Sequence, residues 1–384
     1  MVTESKKPVS PGAIALATAI FTEDITRSKL YISEHLLRYG LFWEIYKATE
    51  RHVALLDHEK YEEGIQGILD AFEKGTRIGE VGRLHDVSLD ERLSWRKRKL
   101  ESAVPTGLPL FDEVLGGGLF PGQLMVLLGG TGVGKTTGSI LCAYGAAQAD
   151  RKVLLISAEL SREEIETKLD CKISGIRSDE LLSKEPELIA KIKKFYKERR
   201  GQIHVAWFEL GTATVHDLRG YYRHLKQYQS FAPDLVIIDS PDNLKAMGRH
   251  SKKFEALEEI YAAVFGWAGA DRIPIVVTSD VKQASRKKRL IGVEDAGGSY
   301  EKVKKADIVI GLGCDSDMRK EDDRGEFIIW ANFDKVRTGR GGVTFQVKVN
   351  PATSSWSVIR ALESEEAREA PLKGKGGSTS FIQE

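Results

Sequence analysis

The chain has 384 residues, more than a single hydrophobic core usually serves, so more than one domain is expected. Hydrophobic and charged residues make up 41% and 29%, as in ordinary soluble globular proteins. Lys and Arg (57) almost cancel Asp and Glu (56), which excludes a bulk electrostatic drive toward nucleic acid or membrane and leaves only local clusters to bind a polyanion.

In chain order, residues 1–11 are polar with two prolines and read as frayed. Ala13–Phe21 is apolar but too short for a bilayer, which needs roughly 20 such residues. Lys6 and Lys7 precede it, yet Pro8, Pro11, Glu23 and Asp24 fit a soluble helix better than a signal peptide. Leu30, Ile32, Leu36, Leu37 and Leu41, then Leu55, Tyr61, Ile65, Ile68 and Leu69, recur at helical spacing. Residues 1–75 are therefore expected to form a small all-α domain, with Gly75 as a helix stop. Residues 76–103 read as a charged linker. Its stretch Asp90–Leu100 suits a solvated helix, although its four consecutive basic residues suit contact with phosphates too.

From Val104 short apolar runs alternate with helical stretches. The runs are Leu124–Leu128, Val153–Ile156, Ile203–Trp207, Leu235–Ile238, Ile275–Thr278, Ile308–Leu312, Phe327–Trp330 and Val343–Val349. Glu163–Ile173 and Lys253–Trp267 are amphipathic stretches between them. This pattern predicts an α/β domain over 104–362, a mostly parallel sheet with helices on both faces. The last two runs, joined near Gly339–Gly342, predict an antiparallel extension. Lys191–Arg200 reads as an exposed helix face, and the polar, glycine-containing tail 363–384 as disordered. Cys142, Cys171 and Cys314 lack CxxC spacing and read as reduced thiols in a cytoplasm-like compartment.

Gly129-Gly130-Thr131-Gly132-Val133-Gly134-Lys135-Thr136 is a full phosphate-binding loop motif between a buried-strand run and the helical stretch that opens with Thr137. Its glycines let backbone N–H groups close around a phosphate at a helix start. Lys135 would meet the β- and γ-phosphates of ATP, and the Thr136 hydroxyl would ligate Mg²⁺. Asp239 ends the apolar strand Asp234–Ser240; it is the natural second Mg²⁺ ligand, or else a strand-terminal cap. Glu159, at the end of Val153–Glu159, is the choice for the base that orients water; the bland reading is a cap on the helix starting near Ser161.

The stretch Pro105–Leu119, running through Pro121-Gly122-Gln123-Leu124 into the loop, resembles the entry to RecA-like ATPases. With the helical front part, the charged linker, Ile156–Ser161 and Asn332–Gly342, the chain resembles the DnaB-type replicative helicases, particularly the shorter phage forms, over roughly Val104 to Ile359. That resemblance implies a RecA-like core and ATP hydrolysis driving movement on single-stranded DNA. It implies that Lys335 and Arg337 reach a neighbouring subunit's nucleotide, with Arg337 as arginine finger, in a homo-oligomeric ring expected to be a hexamer. A primase or loader partner, a cytoplasmic location and no membrane follow from the same likeness. Residues 291–307 resemble the family's channel loop and following helix, and Lys282, Arg286, Lys287, Lys288 and Arg289 just upstream would track phosphates.

Two positions depart from the pattern. Asp280 stands where the family places a glutamine that senses the γ-phosphate, and an aspartate there repels ATP unless it is paired or ligates metal. Gln283 is one turn away. Gly297 stands where the family often has arginine. A RecA- or RadA-like recombination ATPase, a KaiC-like ATPase switch and a non-hydrolysing ring remain competing readings. The front domain, the undivided P-loop domain and the intact Lys135, Thr136, Asp239 and Glu159 speak against them in turn.

Overall fold

The computed structural model describes residues 89–314, 325–363 and 366–367. The expected all-α region 1–75, and the expected disordered tail beyond Glu363 apart from 366–367, lie outside them. Two units divide between Leu93 and Ser94; the sheet, its helices and every site residue below belong to the second.

Helix α1 (Leu89–Glu101) falls on the charged stretch. From Leu93 to Arg98 every residue is exposed, and Lys99 lies over the Trp95 and Phe120 rings. This is a solvated helix whose Lys99 ammonium sits over two aromatic rings. Helix α2 (Pro109–Val114) starts at a proline, which suits the first helical turn.

Nine strands form one sheet in the order β3-β2-β4-β5-β1-β6-β7-β8-β9. They are β1 (Leu124–Gly129), β2 (Lys152–Ser157), β3 (Gln202–Trp207), β4 (Leu235–Asp239), β5 (Ile275–Asp280), β6 (Ile308–Gly313), β7 (Phe327–Val336), β8 (Val343–Asn350) and β9 (Ser355–Glu363). The pairs from β3 through to β6 are parallel, and β6-β7, β7-β8 and β8-β9 are antiparallel. The eight predicted runs are all strands. β7 continues six residues beyond its apolar run, so Lys335 stands on a strand, and β9 is a ninth strand absent from the sequence reading.

Helices α3 (Lys135–Gln148), α4 (Arg162–Ser174), α5 (Glu185–Glu198), α6 (Val215–Tyr228), α7 (Lys253–Asp271) and the short α8 (Glu301–Lys304) complete the unit. Ser161 starts α4 through a capping box with Glu164, and Thr214 starts α6 through one with Asp217. Alternate residues of β1 enter different cores: Met125 and Leu127 pack on one face, Leu124, Val126 and Leu128 on the other. Both faces are covered, which is why the central strands read as unbroken apolar runs. Among the described residues no helix is long and apolar enough to cross a membrane.

Candidate functional site

The parallel strands end side by side, and register decides which residues meet there. Gly129 pairs with Asp280 across β1-β5, and Ser157 with Asp239 across β2-β4. Gly134, the N-cap of α3, has φ +94°, a left-handed conformation that an L side chain rarely adopts. A Cβ at Gly129 would come within 2.7 Å of the Val133 side chain. The glycines thus let the loop fold tightly over the start of α3, where free helix amides attract anions.

A cleft of about 230 Å³ opens over this loop, lined by Thr131, Gly132, Gly134, Lys135, Thr136, Thr137, Glu159 and Asp280, among others. A larger hollow of about 580 Å³ lies at the other ends of β2 and β3, lined by Lys152, Tyr196, Arg199 and Arg200 but by no carboxylate. Size alone therefore does not mark the chemistry. In the smaller cleft Lys135 Nζ donates to Gly129 O and Gly130 O at 3.1 Å and to Asp280 Oδ1 at 2.8 Å. The aspartate at the sensor position is thus paired with the lysine that the sequence assigned to phosphate.

Asp239 is buried. Its Oδ1 accepts from the Thr278 hydroxyl at 2.5 Å. Its Oδ2 is buried with no donor of good geometry. Burial raises its proton affinity, while Thr278, Thr136, Lys135 and Lys168 favour the charged form. A buried carboxylate oxygen without a donor, beside the Thr136 hydroxyl, fits a hard divalent cation. Glu159 is exposed to the cleft and does not cap α4, since Ser161 does. Partial burial of its carboxyl, then Asp239, raise its proton affinity; Lys135 opposes them, and Asp280 and Asp242 add to the rise. The turn that carries it is tied to β4 by Ala158 N–H donating to Asp239 O at 2.7 Å.

Lys335 and Arg337 do not line this cleft. Lys335 Nζ donates to Lys304 O, and Arg337 donates to Asp307 Oδ1 at 3.1 Å. Burial lowers the proton affinity of Lys335, nearby Arg337 adds to this, and Asp307 opposes it. The basic segment is only partly open. Lys282 donates to Glu294 O, Lys288 is paired with buried Asp295, and Arg289 lies over Trp330. Arg286 lies against the phosphate loop, its Cγ 3.5 Å from where a Cβ on Gly130 would sit. Gln283 and Lys287 are exposed.

Besides Leu160, the neighbour of Glu159, sequence reasoning missed four lining residues: Lys168 on α4, Phe327 on β7, Val349 on β8 and Pro351. Lys168 falls nine residues beyond Glu159 on the next helix, a spacing legible only once α4 is known to lean on the cleft. The other three come from the antiparallel extension, which the sequence showed as strands without showing where they fold back.

The model of the DnaB-like helicase C-terminal domain matches residues 103–354. The chain is 28% identical over 140 residues to a DnaB-like replicative helicase of Enterobacteria phage T4, covering 35% of this chain and 30% of that protein. It is 39% identical over 136 residues to DNA repair protein RadA of Mycobacterium tuberculosis, covering 35% and 22%. The matches thus span less than a third of these relatives. Among solved structures, the ATPase domain of G40P aligns with a TM-score of 0.60 at 18% identity, over 72% of this chain and 100% of that one. A DnaB-like replicative helicase studied with primase aligns at 0.59 and 16%, over 90% and 82%. These structural likenesses are of fold.

Proposed function

The chain belongs to the family of the DnaB-like helicase C-terminal domain, and on that premise we propose that it hydrolyses ATP to move along single-stranded DNA as a ring-shaped replicative helicase. The observation that carries this is the convergence of Lys135, Thr136 and Glu159 on one cleft, with Asp239 buried beside Thr136, while Lys335 and Arg337 lie outside it. A half-site of this kind calls for a neighbour's cations, and a head-to-tail assembly that closes is a ring, here proposed to be a hexamer.

In this reading the loop amides and Lys135 bind the phosphates, which requires Lys135 to leave Asp280. Thr136 and Asp239 would hold Mg²⁺, which would supply positive charge at the phosphate oxygens. Among the described residues no three His, Cys, Asp or Glu side chains form a cage of their own, which suits a cation that arrives with the nucleotide. Glu159 orients the attacking water and takes its proton. Arg337 of one subunit neutralises charge developing on the next subunit's γ-phosphoryl. A primase is the partner we infer, because one similar structure is of a replicative helicase with primase.

ATP turnover with and without single-stranded DNA, and unwinding of a forked duplex, test the reading. Wild type should be stimulated by DNA and should unwind; Arg337→Ala should lower turnover by about 10³–10⁵-fold. Absence of both stimulation and unwinding in wild type would sink the helicase reading, and full turnover in Arg337→Ala would sink the finger. The identity to RadA favours a DNA-repair ATPase as the second reading; DNA-stimulated hydrolysis without unwinding would support it.

A further inference from the structure

Lys302 is a lysine buried to 2% exposure on α8, and no step above uses it. Its Nζ donates to both oxygens of Asp242 at 3.0 Å, and it lies over the Tyr261 ring. Asp242 follows Asp239 by three residues, in the turn that leaves β4. Its carboxylate also accepts from Tyr261 Oη at 2.9 Å, Ser279 Oγ at 3.4 Å and the Asp280 backbone N–H at 3.0 Å. One carboxylate therefore ties together the strand end that carries Asp239, the strand end that carries Asp280, and α8.

Three more bonds extend the arrangement. Asp280 O accepts from Gly297 N–H at 2.8 Å, so the residue that holds Lys135 by its side chain holds the 291–307 stretch by its backbone. On its other side α8 receives Lys335 at Lys304 O, while Arg337 is held at Asp307. The short helix is bracketed between its own subunit's cleft and the two cations that the proposed function gives to the neighbour.

We propose that Lys302 and Asp242 are positioning residues that transmit the state of the nucleotide cleft to residues 282–304. The physical cause is a change of partner: phosphate draws Lys135 from Asp280, and Asp280 is bonded by its own backbone to both Asp242 and Gly297. Lys302 is buried and Asp242 only 16% exposed, so little water can replace a lost partner, and Lys302 and α8 must follow Asp242 or leave the lysine uncompensated. The inference rests on the helicase reading for its consequence on DNA, but not for the movement itself.

Two experiments test it. In the full chain, Lys302→Met keeps the aliphatic stem and removes the charge. ATP turnover without DNA should stay near wild type, while stimulation by an oligothymidylate should fall by about tenfold, the size of a typical coupling. Lys302→Arg should recover part of it. Wild-type stimulation in a folded Lys302→Met overturns the proposal. The second experiment needs no variant. Hydrogen exchange of wild type, with and without Mg²⁺ and a non-hydrolysable ATP analogue but without DNA, should change at amides 293–304 as well as in the phosphate loop. Protection of the loop with unchanged exchange at 293–304 overturns the link, even if the helicase reading stands. A changed segment in a protein that DNA does not stimulate keeps the link and removes the helicase reading.

Discussion

Asp239, Asp280 and Asp242 act on Glu159 across the cleft, and the proton affinity of Glu159 is raised first by burial and then by Asp239. A base works only when deprotonated, so a raised proton affinity moves the acid limb of kcat/KM to higher pH than an ordinary glutamate gives. That limb should lie above the usual 4.5. Asp280→Asn removes one of the raising charges and should shift the limb downward. The same change frees Lys135 for phosphate, but Asp280 is half exposed and such pairs are worth about 0–1 kcal/mol. ATP affinity should therefore rise by no more than about fivefold. Turnover profiles of wild type and Asp280→Asn measure both effects; an unmoved acid limb would remove Asp280 from the electrostatics of Glu159. At this scale the phosphate loop and Asp239 were legible because each is a local motif with its strand attached. The Lys135–Asp280 pair was not, since it joins positions 145 residues apart through the register of β1 on β5.

At the scale of elements, α3 is held between the entry segment and the antiparallel strands. A Cβ on Gly145 would lie 2.2 Å from Gly107 Cα, and one on Gly138 would lie 2.9 Å from the Trp356 ring. Gly145→Ala must push α3 off backbone, not off a flexible side chain. It should cost about 1–3 kcal/mol, the usual range for overpacking a filled core. Urea denaturation of the variant measures this, and a change under half a kcal/mol would show that the contact is looser than it stands. Trp356 belongs to β9, the strand absent from the sequence reading. Its signal was a weak alternation, Trp356 then Val358, beside polar Ser355, Ser357 and Arg360. The helix start expected near Ser161 fared better, because the capping box of Ser161 and Glu164 that forms it spans four consecutive residues.

At the scale of the molecule, the proposed site is shared between subunits, and a mixing experiment tests that directly. Lys135→Ala retains its Lys335 and Arg337; Arg337→Ala retains its phosphate loop. Each alone should be nearly inactive. Random rings from equal amounts should restore about a quarter of the interfaces, because a head-to-tail contact takes one half from each neighbour. Activity no greater than the sum of the two variants would mean that each subunit completes its own site. The parking of Lys335 and Arg337 on Lys304 O and Asp307 gives this a geometric basis, since those contacts must be exchanged when a neighbour's nucleotide takes the cations.

The sequence by itself determined what short range can encode: eight strands from their apolar runs, the glycine-shaped loop before α3, and a carboxylate at the end of β4. It did so because each depends on neighbours within a few residues. Only the tertiary structure decided that Asp280 faces Lys135, that Trp356 supports α3 from a ninth strand, and that Lys302 is buried against Asp242. Those facts depend on sheet order and register, which bring together residues far apart in the chain and which no local pattern specifies.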